Sequence, residues 1–428
     1  MTVVEITAPQ QRRRALSGAW LMSGATAASG VLTYAFLVLA ARTLGPHAYG
    51  LVAVLWGAIF IGAIVVYRPL EQTASRTIAD RLARGHEVRT VVRALLIVGA
   101  CAVVFTVLAV VAAWGPITRH AFLGDGRLTA LLLAGIVAYG ISYIVRGIVG
   151  GVRWFGGYGL VLTADGVARL AVAAPLLLVA SKQLAGGAMV AAGLAGAVVP
   201  LAVGHRRIAG ALAPRGGQSF RVGSAFAFAA PAVAIAAADQ LLVNGAPLLV
   251  ILDGGAQASK SAGVVFAATM LVRAPIYVFQ GLAASFLPNL TALAAVGDRS
   301  RFHDAVVRCS GALLATGVVM VMGAAALGTH AMGLLYGHEY SAGRGSLVLL
   351  AVGAALYLAA GTVSQGLLAL DRGRAAAVAW GVAAASFVAL FLVLPGSELW
   401  RASLAFALGM AAGTLLLAAA LVREARSA

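Results

Sequence analysis

A small set of polar side chains interrupts the apolar stretches of this sequence, and each can do chemistry that lipid cannot. Asp239 stands near the middle of one long apolar segment and Arg273 near the middle of the next. A charge at that depth costs about 2.5–3.5 kcal/mol on insertion scales, so it faces a partner or a water-filled cavity rather than lipid. Measured from the turn at 253–260, both lie roughly 20 Å into the membrane at about 1.5 Å per helical residue. At matched depth the two can form an ion pair, or they can line one cavity. Gln240 and Asn244 form a polar strip beside Asp239. Arg273, Tyr277 and Gln280, at i, i+4 and i+7, make one polar face of the following segment, with Pro275 between them. An arginine flanked by hydroxyl and amide groups suits a phosphate or pyrophosphate, which it binds by charge-assisted hydrogen bonds.

Asp165 and Arg169 are spaced i, i+4 in the favourable order. They form either a self-neutralising pair or a carboxylate with a cavity-facing arginine. Arg68 and Arg146 lie near the inner ends of their segments. There an arginine snorkels to lipid headgroups or rims a cavity mouth that attracts an anion.

These side chains need elements that cross a membrane. The chain has 428 residues, 61% hydrophobic and only 11% charged, far below the charge content of a soluble domain. Apolar runs of span length recur, and twelve are expected: 16–41, 49–67, 91–114, 128–150, 158–181, 186–204, 223–252, 261–287, 305–328, 345–369, 374–394 and 400–422. With the N-terminus inside, twenty-two of the 31 Lys and Arg fall in or beside cytoplasmic segments, seven fall outside, and Arg169 and Arg273 lie within spans. This agrees with the positive-inside rule. The expected fold is therefore all-α: twelve transmembrane helices in two six-helix lobes, 1–210 and 211–428, around a central cavity, as in many transporters. Both termini are expected in the cytoplasm. The 68–92 connection carries helical spacing and should continue the second span.

Several function classes are excluded. The net charge of +17 comes from one-sided loops and does not indicate nucleic acid. No GxxxxGK[ST], HExxH or GxSxG pattern occurs. The acids of the short outer loops are Asp125, Asp253, Glu339 and Glu398. No enzyme, metal or cofactor is expected. Two isolated cysteines make no disulfide framework.

Four segments add a resemblance. Leu39-Ala40-Ala41-Arg42-Thr43-Leu44-Gly45-Pro46-His47-Ala48-Tyr49-Gly50 is similar to an "ARxLGPxxYG" first outer turn. Glu71-Gln72-Thr73-Ala74-Ser75-Arg76, Phe286-Leu287-Pro288-Asn289-Leu290-Thr291 and Leu334-Leu335-Tyr336-Gly337-His338-Glu339-Tyr340 follow in the matching order. The chain thereby resembles the Wzx-like polysaccharide flippases of the multidrug/oligosaccharidyl-lipid/polysaccharide (MOP) exporter superfamily. The resemblance implies alternating access and export of a polyprenyl-pyrophosphate-linked oligosaccharide from the inner to the outer leaflet of the cell's inner membrane. It implies lipid-linked saccharide as substrate, the bilayer and polysaccharide-assembly proteins as partners, and a monomer. Arg273, Tyr277, Gln280, Arg169, Gln240 and Asn244 would bind substrate. Asp239 would hold Arg273 or carry a coupling proton, and Asp165 has the same alternatives. The lipid II flippase branch carries arginines in its first helix, whereas 29–41 here has none. The alternative is a proton- or sodium-coupled multidrug exporter, and a third class is a non-transporting membrane scaffold for cell-wall assembly.

Overall fold

In lipid every backbone N–H and C=O must find its partner within the protein, and an apolar segment does so by forming a helix. The computed structural model describes residues 8–213, 229–255, 257–283, 299–370 and 372–427, and those residues contain helices and no strand. Side chains are described for 24–213, 231–274 except 256, and 304–424 except 306, 309, 310, 369 and 371.

The first helix, α1 (Ala8–Ala83), holds the first two expected segments as two arms. They meet at Gly45, whose φ of 69° and ψ of 168° leave the helical region, a conformation only glycine adopts at little cost. Pro46 follows and cannot donate to the preceding turn. The second arm runs past the expected end at 67 and remains helical to Ala83, with Leu70, Ala74 and Ile78 buried. Next come α2 (Arg89–Ala112), α3 (Gly126–Gly151), α4 (Phe155–Ala173) and α5 (Lys182–Ala211). Two of these starts are capped as short polar residues cap helices. Asp125 accepts from the Arg127 N–H at 3.0 Å, and Ser181 from the Leu184 N–H at 3.2 Å.

In the second half, α6 (Ala229–Asn244) and α7 (Ala246–Asp253) meet at a bend of 67°. One unbroken span was expected over 223–252. Pro247 is the reason: it has no N–H and sits in the first turn of α7, where that loss is tolerated. Then follow α8 (Ala258–Ala283), α9 (Arg299–Tyr336), α10 (Arg344–Ala369), α11 (Gly373–Val393) and α12 (Glu398–Ser427). Nine helices among the described residues are long and apolar enough to cross a membrane, or ten with the bent pair counted as one. The first of these contains two expected segments, and the eighth expected segment runs from α8 beyond the described residues. The expected twelve thus fall on helices without being enumerated one for one.

The helices of each half pack chiefly among themselves: α3 on α1 and α5, α4 on α5, α10 on α9 and α12, and α11 on α12 and α6. The element that crosses most extensively to the other half is α1, which packs on α6 and α8. At one crossing Gly50 meets Ser259 and Gly263 meets Pro46, so closely that a Cβ on either glycine would strike backbone. This crossing lies at the arginine-poor face, which carries the turns at 45, 122–125, 254–257 and 337–343. The opposite face, with the turns at 84–88 and 152–154, is arginine-rich.

Candidate functional site

The internal charges fall into three groups. In the first half, Arg169 on α4 is buried, 2% exposed. Its guanidinium donates to Thr33 Oγ1 of α1 at 2.8 Å, to Tyr139 Oη of α3 at 2.7 Å, and to Asp165 one turn earlier on its own helix. The Trp56 ring lies 5.1 Å from its central carbon, a cation–π contact. Phe36, Phe60 and Tyr139 extend this aromatic packing, with Trp56–Phe60 at 4.6 Å and Phe60–Tyr139 at 4.9 Å. Asp165 and Arg169 thus form the intrahelical pair, one of the two alternatives of their spacing, and Thr33 and Tyr139 of two further helices also bond the guanidinium.

The second group surrounds the α6–α7 bend. Proline at 247 removes the donor that would serve the carbonyl four residues earlier, on Val243. Arg273 supplies the missing donor: its Nη1 lies 2.7 Å from the Val243 oxygen. Arg273 is 6% exposed and makes no ion pair with Asp239 among the described residues. Of the two alternatives, an ion pair or a shared cavity, the ion pair is not among the described contacts. Equal depth along two helices does not fix the direction of either side chain, and the orphaned carbonyl competes for the guanidinium. Asp239 bonds elsewhere: Tyr357 of α10 donates to its Oδ1 at 2.6 Å and Gln240 to its Oδ2 at 2.8 Å. Asn244 in turn donates to Gln240 at 2.8 Å. The polar strip is thus a buried hydrogen-bonded ladder that ends on a half-buried carboxylate. Trp380 of α11 packs edge-on against Tyr357 at 5.6 Å and donates to Ser364 at 3.1 Å, which fixes the phenol.

The third group lies between the first two, toward the arginine-rich face. Tyr158 donates to Glu71 at 2.7 Å and accepts from Arg146 at 3.0 Å. Arg146 also lies 3.5 Å from Glu71 and over the Tyr143 ring at 4.8 Å. Arg68 differs from every other internal arginine. Its side chain is exposed, yet it lies deep among protein atoms, with Asp239, Tyr143, Glu71 and Tyr357 within electrostatic reach. Exposure together with these neighbours places its guanidinium at the rim of a cleft. Its charged neighbours come from both halves of the chain. Among the described residues it makes no hydrogen bond or ion pair.

Three of the expected binding residues on the cleft's second-half wall, Gln240, Asn244 and Arg273, are buried and internally bonded, as is Arg169 in the first half. The side chains of Tyr277 and Gln280 lie outside the described residues. Arg146 is held in a network, while Arg68 is open. Sequence reasoning passed over Glu71, Tyr158, Tyr139, Thr33 and Tyr357. The first falls in what reads as a cytoplasmic connection. The other four carry no charge at neutral pH to mark them, although Tyr357 is a lone phenol in an apolar run.

No protein-family model matches the chain. It is 29% identical over 440 residues to Uncharacterized protein Rv1510 of Mycobacterium tuberculosis, across 99% of this chain and 96% of that one. An inward-facing multidrug resistance MATE family transporter of the MOP superfamily superposes with a TM-score of 0.74 at 15% identity, covering 93% of this chain and 96% of that one. The lipid II flippase MurJ, in an inward closed conformation, superposes with a TM-score of 0.69 at 14% identity, covering 94% and 87%. At such identities the shared property is the fold. The chain is a multi-pass helical membrane protein with the architecture of these transporters.

Proposed function

We propose that this protein is an alternating-access flippase that carries a polyprenyl-pyrophosphate-linked oligosaccharide from the inner to the outer leaflet of the cytoplasmic membrane. The two lobes, 1–210 and 211–428, rock around the Arg68 cleft, with both termini in the cytoplasm. The transport step uses no catalytic group, metal or cofactor. The lipid tail stays in the bilayer while the headgroup crosses the cleft.

One observation carries the anionic substrate: Arg68 is a wetted guanidinium with no hydrogen-bond partner among the described residues. The nearby carboxylates are occupied. Asp165 is paired with Arg169, Glu71 accepts from Tyr158, and Asp239 accepts two hydrogen bonds. The four internal arginines, 68, 146, 169 and 273, exceed these three carboxylates by one. An unpaired cation in a low-dielectric cleft attracts a pyrophosphate far more strongly than it would in bulk water, and guanidinium geometry matches phosphate in a bidentate mode. In this reading Arg68 takes the anion first. Arg169, Arg273, Gln240 and Asn244 form the polar wall, with Tyr277 and Gln280 continuing the Arg273 face.

The test is Arg68→Ala in cells that depend on this protein for surface polymer. Export should fall at least tenfold at normal protein level, the equivalent of one charged hydrogen bond, and Arg68→Lys should keep part of it. Normal export by Arg68→Ala would remove the assignment. Asp239 favours a second reading, because a half-buried carboxylate beside the cleft suits a proton- or sodium-coupled multidrug exporter. pH-dependent efflux of cationic drugs, lost in Asp239→Asn and kept in Arg68→Ala, would select that reading.

A further inference from the structure

The arginine-poor face is closed across the two halves, and the closure is built from exchanged helix caps. Arg42, at the end of the first arm of α1, reaches the C-terminus of α9. Its Nε donates to the Leu335 carbonyl at 2.8 Å and its Nη2 to that of Leu334. Those carbonyls belong to the last turn of a helix ending at Tyr336, where intrahelical donors run out. A cation there also meets the negative end of the helix dipole. In return, Tyr340 of the second half donates its hydroxyl to the Ala41 carbonyl at 2.8 Å. Ala41 lies in the last turn before the Gly45 break. Each half therefore bonds a helix end of the other. His47 Nδ1 and Ser259 Oγ, 3.1 Å apart, add a third tie.

Behind these caps lies a plug of rings: Tyr49 against Phe266 at 5.7 Å, Tyr49 against Tyr340 at 5.8 Å, and Tyr336 against Tyr340 at 5.9 Å. All three tyrosines are at most 2% exposed. Tyr340 uses its hydroxyl. The hydroxyls of Tyr49 and Tyr336 are buried with no hydrogen-bond partner among the described residues. A buried, unsatisfied hydroxyl is disfavoured, and water would satisfy it at once.

We infer that this face is a balanced gate. Arg42 and Tyr340 latch it shut, while the unsatisfied hydroxyls of Tyr49 and Tyr336 favour its opening to water. A fully satisfied plug would hold the transporter closed on this side. The inference rests on the alternating-access reading and adds a regulation to it, one independent of the substrate.

The same chemical change should act with opposite sign at neighbouring tyrosines. Tyr340→Phe removes a latch, the hydrogen bond to the Ala41 carbonyl. Tyr336→Phe and Tyr49→Phe remove a hydroxyl that only the open state satisfies. The reporter is Ala53→Cys in a full-length chain whose Cys101 and Cys309 are replaced by serine. Ala53 is fully buried, on the α1 face that carries Gly50 and Gly57 and meets the second half. A membrane-impermeant maleimide is added at the arginine-poor face of substrate-free vesicles, and labelling is normalised to the detergent-unfolded chain. Tyr340→Phe and Arg42→Ala should speed labelling about fivefold, and Arg42→Lys less, as expected for one lost hydrogen bond. Tyr336→Phe and Tyr49→Phe should slow it about threefold. A melting temperature for each variant verifies that it is folded. Any other pattern, such as shifts of one sign at 336 and 340 or no shift at either, overturns the gate. Normal polymer export by Arg68→Ala with the labelling pattern intact would strike the substrate reading alone.

Discussion

Both halves of the chain place an arginine, an aspartate and a tyrosine hydroxyl inside the membrane, and they use them in opposite ways. In the first half Arg169 and Asp165 bond one another, and Tyr139 and Thr33 accept from the same guanidinium. In the second half Arg273 and Asp239 ignore one another. The arginine serves the Val243 carbonyl and the carboxylate takes Tyr357. The difference coincides with one residue, Pro247, which leaves the Val243 carbonyl without its regular donor and open to the Arg273 guanidinium. Like residues at like depth thus produce a closed ion pair where the helix is continuous. Where it is broken, they produce a pinned bend and a carboxylate held by neutral donors. That carboxylate sits within electrostatic reach of Arg68.

The sharpest way to break the comparison is Arg169→Ala. It leaves Asp165 in a half-buried site without its cation, and such truncations cost about 3–5 kcal/mol. Thermal unfolding in detergent should show a large drop, whereas the joint change Arg169→Leu with Asp165→Leu should cost less than the single one. Equal losses would mean that the pair is not the unit. Next in size, Arg273→Ala should cost about 1.5–3 kcal/mol by orphaning the Val243 carbonyl. In a Pro247→Ala background, where residue 247 regains its N–H, the same change should cost measurably less. A double-mutant cycle on melting temperatures reads this coupling directly, and additivity would refute the pin. Smaller again, Tyr357→Phe should cost about 1 kcal/mol, a neutral donor lost from a carboxylate that keeps Gln240.

The smallest effect belongs to a pair outside both clusters. Burial alone would raise the Asp125 carboxyl, but Lys182 at 2.9 Å and the backbone N–H groups of Arg127 and Leu128 bring it below its usual range. A carboxylate with a depressed folded-state pKa contributes stability above the unfolded value, near pH 4, and loses it as the pH falls through the folded value. Lys182→Ala should therefore cost about 0.2–1 kcal/mol at neutral pH, as for ion pairs near the surface, and lower the melting temperature slightly. The gap between the variant and the parent should close as the pH falls well below 4. A gap that persists in acid would assign Lys182 to packing.

Much of this protein is legible without coordinates. The apolar runs, their lengths and the one-sided arginines dictate a helical membrane protein, because lipid leaves the backbone no other solution. Asp165 and Arg169 pair as their i, i+4 spacing allows, and the helix through 68–83 follows the spacing of Ile78 and Leu82 against Arg76, Arg81 and Arg84. The polar strip of Gln240 and Asn244 is also real, as a ladder. What the sequence did not decide is which polar group meets which. Depth along a helix is a one-dimensional quantity, set by residue count. Direction around the helix and the identity of the facing helix are set by packing, and they separated Arg273 from Asp239. Glu71 was hidden because a charge near a span's end reads as solvated until a neighbouring helix is seen to cover it. Arg68 reads the same way, and only the tertiary arrangement shows it both wetted and enclosed. Composition and period thus determine the elements and their number of faces, since local hydrogen bonding and hydrophobicity suffice for that. The cleft, the pinned bend and the exchanged caps exist only where distant segments meet, as Thr33 meets Arg169 and Tyr340 meets Ala41. Those contacts depend on three-dimensional packing, which no single stretch of chain encodes.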